Sequence, residues 1–305
     1  MMWRRVVLPL WLLLLLLAGC QQQKPAPFGA SGNAVYYWRT TFALDSAEQQ
    51  FLHAHHIRRI FCRYFDVVMS AQEQQPMPNA TLRFESKMPD SIEIVPTVFI
   101  MEDCMREPYI DSLAARLVRR IGQMNQTNDI GGVSQLQMDC DYTARSRQTY
   151  YRFLRKVRAE MQKQAARQPS AGSRLARLSA TIRLHQLAMP APPVDYGVLM
   201  LYNTGAPERF TERNPILDFR DVQPYLRHLK SYPLPLAAAY PVFLWQRTLH
   251  GVNIEHVADT AQVMLTKRAV EAERSDVRQL ILTYHLDKEN ISRYTPRHYE
   301  AIYRH

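Results

Sequence analysis

Cysteine and glycine are scarce in this sequence, and their scarcity excludes several kinds of site. The 305 residues include only 4 cysteines and 10 glycines. No Cys-x-x-Cys pair or Cys/His cluster has the spacing of a zinc site, and there is no glycine-rich motif of a dinucleotide-binding fold. We therefore predict no metal and no other cofactor. Beyond Cys20, the odd set of Cys62, Cys104 and Cys140 allows at most one internal disulfide.

The first 20 residues have the parts of a secretory signal. Arg4 and Arg5 form a basic head, and an apolar run follows over residues 6–18. This run is too short to span a membrane comfortably, and it ends in small residues. The final Leu-Ala-Gly-Cys resembles the bacterial lipobox, in which the cysteine is lipidated. We predict that residues 1–19 are a lipoprotein signal peptide and that Cys20 carries the lipid.

Residues 20–34 are predicted to be the lipidated cysteine and a flexible tether, because this segment has little to bury. We expect an exported protein that meets a membrane through its N-terminal lipid anchor. The residue after Cys20 is Gln21, and not the aspartate that would suggest retention at the inner membrane. The outer membrane is therefore the expected location.

The charge of the chain is strongly positive, at +10 with Arg4 and Arg5 included and +8 without them. Such a balance can indicate a nucleic-acid partner, but export argues against one. We predict no nucleic-acid binding. An anionic envelope polymer, a lipid surface or simply a solvated basic surface explains the charge, and the last is favoured.

Eight strand-like runs alternate with helices or long loops along residues 35–305. This length is close to the roughly 250 residues typical of a (β/α)8 barrel. The predicted fold is α/β, a somewhat irregular (β/α)8 TIM-like barrel, because alternating strands and helices favour a parallel sheet. The irregular parts are residues 70–91 and 246–278. The predicted strands are residues 35–42, 57–68, 92–100, 133–141, 178–187, 196–203, 236–245 and 279–286.

The fourth predicted strand contains two aspartates in an otherwise apolar pattern. Side chains alternate along a strand, so Gln137, Asp139 and Asp141 are expected on one face. An unpaired carboxylate in an apolar interior is costly, and this face must therefore meet something polar. Active sites of such barrels lie at the carboxyl ends of the strands. We predict Asp139 and Asp141 as the catalytic residues.

Further polar and aromatic residues come at the ends of the other strands. Rings that stack on a sugar, with carboxylates and an arginine that bind hydroxyls, suit a carbohydrate ligand. Each aromatic residue could instead cap the barrel core, and Arg183 could neutralise Asp139 or Asp141. The predicted substrate-binding residues are Trp38, Tyr64, Gln137, Arg183, His185, Tyr202, Asn203 and Trp245.

Three segments resemble the chitinase-type glycosidase barrels: Asp-Cys-Asp on strand four, Met-Leu-Tyr-Asn on strand six and Pro-Val-Phe on strand seven. More closely, most of residues 35–305 is similar to uncharacterised bacterial lipoproteins with a glycosidase-like barrel. This resemblance implies a carbohydrate partner. The chain departs from the chitinase pattern, with Thr143 in place of the proton-donating glutamate and Asn203 in place of an aspartate.

Two functions stay open at this stage. The chain is a glycoside hydrolase whose acid is Asp141, tuned by Asp139, or a loop residue such as Glu102. Alternatively, it is a non-catalytic carbohydrate- or envelope-binding lipoprotein that has lost the acid, because Thr143 replaces the glutamate.

Overall fold

The computed structural model describes residues 27–29, 31–167, 175–205, 213–249 and 252–305, without the side chains of residues 245, 247–249 and 252–254. The predicted signal peptide at residues 1–19 and the lipidation site Cys20 lie outside the described residues, as does the side chain of Trp245. Within the described part of the chain, no helix is long and apolar enough to cross a membrane.

Eight parallel strands form a closed barrel, which confirms the predicted fold class. Their order around the barrel is β1, β13, β10, β9, β8, β7, β6 and β3, and β1 also pairs with β3 to close the ring. The barrel strands are β1 (Gly32–Tyr37), β3 (Ile57–Met69), β6 (Glu93–Ile100), β7 (Gln135–Asp139), β8 (Arg177–Ile182), β9 (Tyr196–Met200), β10 (Leu236–Pro241) and β13 (Leu280–Tyr284).

The strand sequences fit burial on both faces. Every residue of β7, β9 and β10 is buried, as expected for parallel strands with a filled barrel inside and helices outside. Close packing also explains the single glycine of β9. A Cβ atom at Gly197 would lie 2.6 Å from Ile182 and 3.0 Å from Leu236 on the two neighbouring strands. Only glycine fits there without displacing a side chain.

Helices cover the outside of the barrel, and several begin at an aspartate N-cap. Asp45 accepts from the Glu48 amide in a full capping box, whereas Asp218 and Asp259 each cap a later helix through one bond, from the amides of Arg220 and Ala261. The sequence pattern predicts helices at residues 46–56, 107–124, 146–167, 221–231, about 256–272 and 296–304, and a helix is present at each place. The helices are α1 (Ser46–Ala54), α2 (Ile110–Thr127), α3 (Arg147–Arg167), α4 (Phe219–Leu229), α5 (Thr260–Glu273), α6 (Lys288–Arg293) and α7 (Pro296–Tyr303).

The two segments predicted to be irregular contain short strands outside the barrel. In the first, β4 (Pro76–Asn79) pairs antiparallel with β3, and β5 (Arg83–Phe84) pairs with β2 (Thr41–Phe42). In the second, β11 (Leu244–Leu249) and β12 (Val252–Val257) form an antiparallel hairpin that precedes α5. Trp245 therefore belongs to this hairpin. The prediction that it ends the seventh barrel strand is wrong.

Six of the eight barrel strands end two to five residues earlier than predicted, and two of these ends affect the predicted site. β7 ends at Asp139, so Asp141 lies beyond it, and β8 ends at Ile182. A short 3-10 helix, Leu184–Ala188, follows β8, with Arg183 as its N-cap residue. Cys62, Cys104 and Cys140 are free and buried, so they form no internal disulfide.

Candidate functional site

A cleft of about 600 Å³ opens at the carboxyl ends of β7, β8 and β9, where barrel enzymes have their sites. It is polar and rich in charged side chains. The segments after these strands and the start of α4 supply its walls. Its lining residues are Asp141, Arg183, Leu184, His185, Met200, Tyr202, Asn203, Thr204, Arg213, Arg220, Asp221, Pro224 and Tyr225.

Asp139 is a buried carboxylate held by two donors from β8 and the residue after it. The hydroxyl of Thr181 donates to Asp139 Oδ1 at 2.6 Å, and Arg183 Nη2 donates to the same oxygen at 3.0 Å. Burial opposes the charge on Arg183, but Asp139, together with Tyr202, Asp141 and Tyr36, outweighs this and raises the arginine pKa above its ordinary value. The ion pair predicted as an alternative for Arg183 is therefore present.

Asp141 does not share the environment of Asp139, contrary to the prediction that both lie on one strand face. Its side chain is 59% exposed, whereas that of Asp139 is 4% exposed. The reason is depth: Asp139 is the last residue of β7, whereas Asp141 lies two residues beyond the end of the strand. Asp141 Oδ1 lies 3.5 Å from His185 Nε2, and both residues line the cleft.

Gln137 lies one layer below Asp139, inside the barrel. The hydroxyl of Tyr36 donates to Gln137 Oε1 at 2.8 Å, and the hydroxyl of Thr97 lies 3.4 Å from the same atom. Gln137 Nε2 is buried and has no hydrogen-bond partner among the described residues. Gln137 therefore sits in the barrel core beneath the cleft and is not among the residues that line it.

Aromatic rings form one continuous group beside the cleft, with Tyr284 at its centre. Tyr202 stacks on Tyr284 with centroids 4.6 Å apart, and Trp38 and Phe243 lie 5.8 and 5.4 Å from the same ring. Burial and the neighbouring Tyr284 raise the pKa of Tyr202 well above its usual value, so its hydroxyl stays protonated. We define Trp38, Tyr202, Phe243 and Tyr284 as the aromatic group.

Arg63 packs against the Trp38 end of the aromatic group. Its guanidinium lies 5.6 Å from the centroid of the Trp38 ring, a cation–π contact. Asp66, three residues later on β3, receives two hydrogen bonds from the same guanidinium, one of them at 2.6 Å from Nε. The aspartate therefore fixes the arginine against the ring.

Tyr64 is turned away from the cleft, and its prediction as a binding residue does not fit this position. It is fully buried, and its hydroxyl donates to Asn125 of α2 at 2.8 Å. The preceding residue, Arg63, faces Trp38 at the mouth of the barrel, and adjacent residues of a strand point to opposite faces, so Tyr64 points outward. Tyr64 thus packs under the helices.

Thr143 and Glu102 are bound to each other outside the cleft lining. Thr143 Oγ1 and Ser146 Oγ each donate to Glu102 Oε1 at 2.6 Å. Burial acts against ionisation of Glu102, but the bonds from Ser146 and Thr143 outweigh it and lower the pKa. Glu102 is therefore held as a carboxylate, which does not suit a proton donor. Thr143 is bonded to Glu102 and does not line the cleft. The side chain of this segment that lines the cleft is the carboxylate of Asp141.

Asn203 and the cleft wall opposite complete the site. Asn203 is exposed and has a left-handed backbone with φ of +54°, a conformation that asparagine tolerates well. Arg213, Arg220 and Asp221 come from the segment before α4 and from its first turn. Sequence reasoning missed these three because they do not follow a strand directly. Tyr284, which ends the eighth strand, was not among the predicted substrate-binding residues.

In the described parts of the chain, no group of three or more His, Cys, Asp and Glu side chains is arranged to hold a metal ion.

Solved structures with a similar fold include chitinases. A GH18 chitinase mutant from Cycas revoluta in complex with (GlcNAc)4 matches with a TM-score of 0.56 at 10% identity, over 90% of this chain and 100% of that chain. The fold is that of a glycoside-hydrolase-like barrel. A class V chitinase mutant from Nicotiana tobaccum in complex with NAG4 matches with a TM-score of 0.51 at 12% identity, over 89% and 98% of the two chains. Catalytic domain 2 of a group II chitinase from Ostrinia furnacalis gives 0.50 at 10%, over 89% and 95%.

No protein-family model matches the sequence, and none of the curated proteins compared with it is similar. At identities of 10 to 12%, the structural likeness establishes the fold alone. What the cleft does must follow from its own residues.

Proposed function

We propose that this chain is an exported, lipid-anchored envelope protein whose barrel cleft binds a carbohydrate chain. The observation that carries the proposal is the aromatic group beside a cleft with fixed polar side chains. Tyr202 belongs to both, since it stacks on Tyr284 and lines the cleft next to Asn203. Rings that cover the apolar face of a sugar, next to directed donors and acceptors, are the usual equipment of a carbohydrate site.

Oligomers of N-acetylglucosamine are the first ligands to test, because the chitinases of Cycas revoluta and Nicotiana tobaccum were solved in complex with them. The proposal of binding, with or without cleavage, also agrees with the state of the carboxylates. Asp139 is engaged with Thr181 and Arg183, and Glu102 is held ionised, so neither is ready to donate a proton.

Hydrolysis is the second candidate, and the position of Asp141 favours it. This carboxylate is exposed in the cleft, and its Oδ1 lies 3.5 Å from Nε2 of His185. A glycosidase needs an acid at the leaving oxygen, together with a second carboxylate or, in substrate-assisted enzymes, a group of the substrate itself. In that case Asp141 is the acid, and the loss of acid suggested by Thr143 does not apply.

One experiment separates the two candidates. The full-length protein in detergent micelles is incubated with chitin beads and with soluble N-acetylglucosamine oligomers, and both retention and new reducing ends are recorded. Retention without new reducing ends supports binding alone, whereas new ends that disappear in Asp141→Asn support hydrolysis. If the protein shows no retention and no cleavage on these or on other envelope glycans, both candidates are contradicted.

A matched control is available on the same rim. Asp103 is an exposed aspartate after β6 that does not line the cleft. Asp103→Asn should leave retention and any cleavage unchanged, since it removes the same charge outside the site.

The proposed anchor is tested separately. Radioactive palmitate should label the wild-type protein but not Cys20→Ser, and the wild type should fractionate with the outer membrane. Fractionation with the inner membrane would overturn the location inferred from Gln21.

A further inference from the structure

The chain enters the barrel at the end opposite the cleft, through a packed contact. Phe28 is 1% exposed although it lies within the predicted tether. Its ring meets that of Tyr196, at the start of β9, edge-on with centroids 5.1 Å apart. Tyr196 in turn donates to Gln135, the first residue of β7, at 2.6 Å. Phe28 therefore lies at the amino ends of the strands.

The next residue fixes the path of the chain at this face. Gly29 has a φ of +77°, and a Cβ atom there would lie 2.8 Å from the guanidinium of Arg177, the first residue of β8. The left-handed conformation favours glycine here, and any larger residue would also have to displace the end of the Arg177 side chain. β1 begins three residues later at Gly32. Packed chain is therefore present from Phe28 onward, within the segment that the sequence predicts to be a tether up to residue 34.

Little chain is left between this contact and the proposed lipid. Seven peptide steps join Cys20 to Pro27, and at full extension they span about 25 Å. A compact domain with the length of residues 35–305 is about 45 Å across. Because the tether leaves from the amino-end face and is shorter than the barrel is wide, it cannot pass around the barrel to let the opposite face touch the membrane.

We propose that the lipid anchor holds the amino-end face of the barrel against the membrane, with the cleft directed away from it. This inference rests on the proposed lipidation of Cys20. The lipid surface is thus the partner of the face that contains Phe28. The glycan in the cleft comes from a polymer that lies beyond the membrane, and not from sugars on lipid headgroups of the same leaflet.

The orientation can be measured by energy transfer from each face to the membrane. The acylated full-length protein is reconstituted into phosphatidylethanolamine/phosphatidylglycerol vesicles that contain a headgroup-labelled acceptor lipid. One dye is attached at Arg58→Cys, an exposed position at the start of β3, and in a second sample at Met101→Cys, an exposed position just after β6. Cys62, Cys104 and Cys140 are buried and should not react.

We expect strong transfer from position 58 and several-fold weaker transfer from position 101. Insertion of 20 Gly/Ser residues after Gln23 keeps the Phe28 contact but lengthens the tether, so the difference between the two positions should shrink. Equal transfer from both positions with the natural tether would overturn the orientation while leaving the anchor intact. Failure of the protein to float with the vesicles would overturn the anchor, and the orientation with it; neither result bears on whether the cleft binds a glycan.

Discussion

The two ends of the barrel use the same pair of groups, a carboxylate and a guanidinium, in opposite ways. At the amino end, Arg59 donates to Glu93 at 2.8 Å, and the arginine is the more buried partner, with 6% of its side chain exposed. At the carboxyl end, Asp139 is the buried partner, while 24% of the Arg183 side chain is exposed. The first pair links β3 to β6 at the amino end of the barrel, whereas the second presents a fixed cation to the cleft.

The surroundings of each pair strengthen the contrast. At the amino end, Ser134 and Gln135 also donate to Glu93, at 2.5 and 3.0 Å, and Phe28 covers the neighbouring Tyr196. Polar groups there are bonded to each other. At the carboxyl end, Asp141 and its neighbours face an open cleft. The difference teaches that one end serves stability and the other is available to a ligand, and substitutions at the two ends should separate these effects.

The largest loss of stability is expected from Arg59→Met. It leaves Glu93 charged and partly buried without its cation, which should lower the free energy of unfolding by about 3 kcal/mol. Chemical denaturation measures this loss. Arg58→Met is the matched control, because Arg58 is exposed and its replacement should cost less than about 0.5 kcal/mol. Equal losses from the two variants would contradict the structural role of the amino-end pair.

Phe28→Ala should have the next largest effect. Removal of a buried ring that contacts Tyr196 is expected to lower the free energy of unfolding by about 2 kcal/mol. This is below the usual range for a core phenylalanine because a chain end can relax into the space. Phe28→Leu should recover most of the loss. An alanine variant as stable as wild type would show that the segment is not packed in solution.

Arg183→Met should cost about 2 kcal/mol, since Asp139 keeps its bond from Thr181 but loses its counter-charge. The double variant Asp139→Asn/Arg183→Met should recover part of this loss, because no buried charge is then left unpaired. Glycan retention should fall in both variants. Retention equal to wild type in the double variant would remove this pair from the binding site.

Acid should lower the free energy of unfolding through one carboxylate at each end of the barrel, Glu93 at the amino end and Glu102 at the carboxyl end. Burial opposes ionisation of Glu93, but the charge of Arg59 and the bond from Ser134 outweigh it and lower the pKa. The pKa of Glu102 is lowered by the bonds from Ser146 and Thr143, which outweigh the effect of burial. A lowered pKa contributes stability that is present above the ordinary value of 4.5 and is lost as the pH falls through the folded-state value. In unfolding titrations from pH 7 to 3, Glu93→Gln and Glu102→Gln should each reduce the slope below pH 4.5. Slopes identical to wild type would contradict the shifts.

The fold was predictable because burial on both faces gives each parallel strand a continuous apolar run. All eight barrel strands coincide with predicted runs, and their alternation with helices predicts the closed barrel. The strand ends were not predictable. Cys140 and Tyr142 are buried although β7 has ended, and so is Leu187 after β8. An apolar pattern of period two therefore continues past the last ladder hydrogen bond, and the sequence alone cannot tell that continuation from strand.

The same limit explains one of the errors at the site. Asp141 was placed on the face of Asp139 because the strand was extended by two residues. The error at Tyr64 has a different cause: it was predicted to line the cleft although it directly follows Arg63, and adjacent residues of a strand point to opposite faces. The strand-end rule did locate Arg183, Tyr202 and Asn203, which all line the cleft. It could not locate Arg220 and Asp221, since these depend on where a helix start docks.

Asp141→Asn should have the smallest effect on stability and the clearest effect on the cleft. The side chain is 59% exposed, and its neighbour His185 is also largely open to solvent. We therefore expect a change of less than about 0.5 kcal/mol in the free energy of unfolding. Glycan binding should weaken about tenfold if Asp141 accepts a hydroxyl of the ligand, as one lost charge-assisted hydrogen bond implies. Calorimetric titration with N-acetylglucosamine oligomers measures this, with Asp103→Asn as control. A loss of stability as large as that of Arg59→Met, without loss of binding, would mean that the carboxyl end is built for stability like the amino end, and the contrast between them would fail.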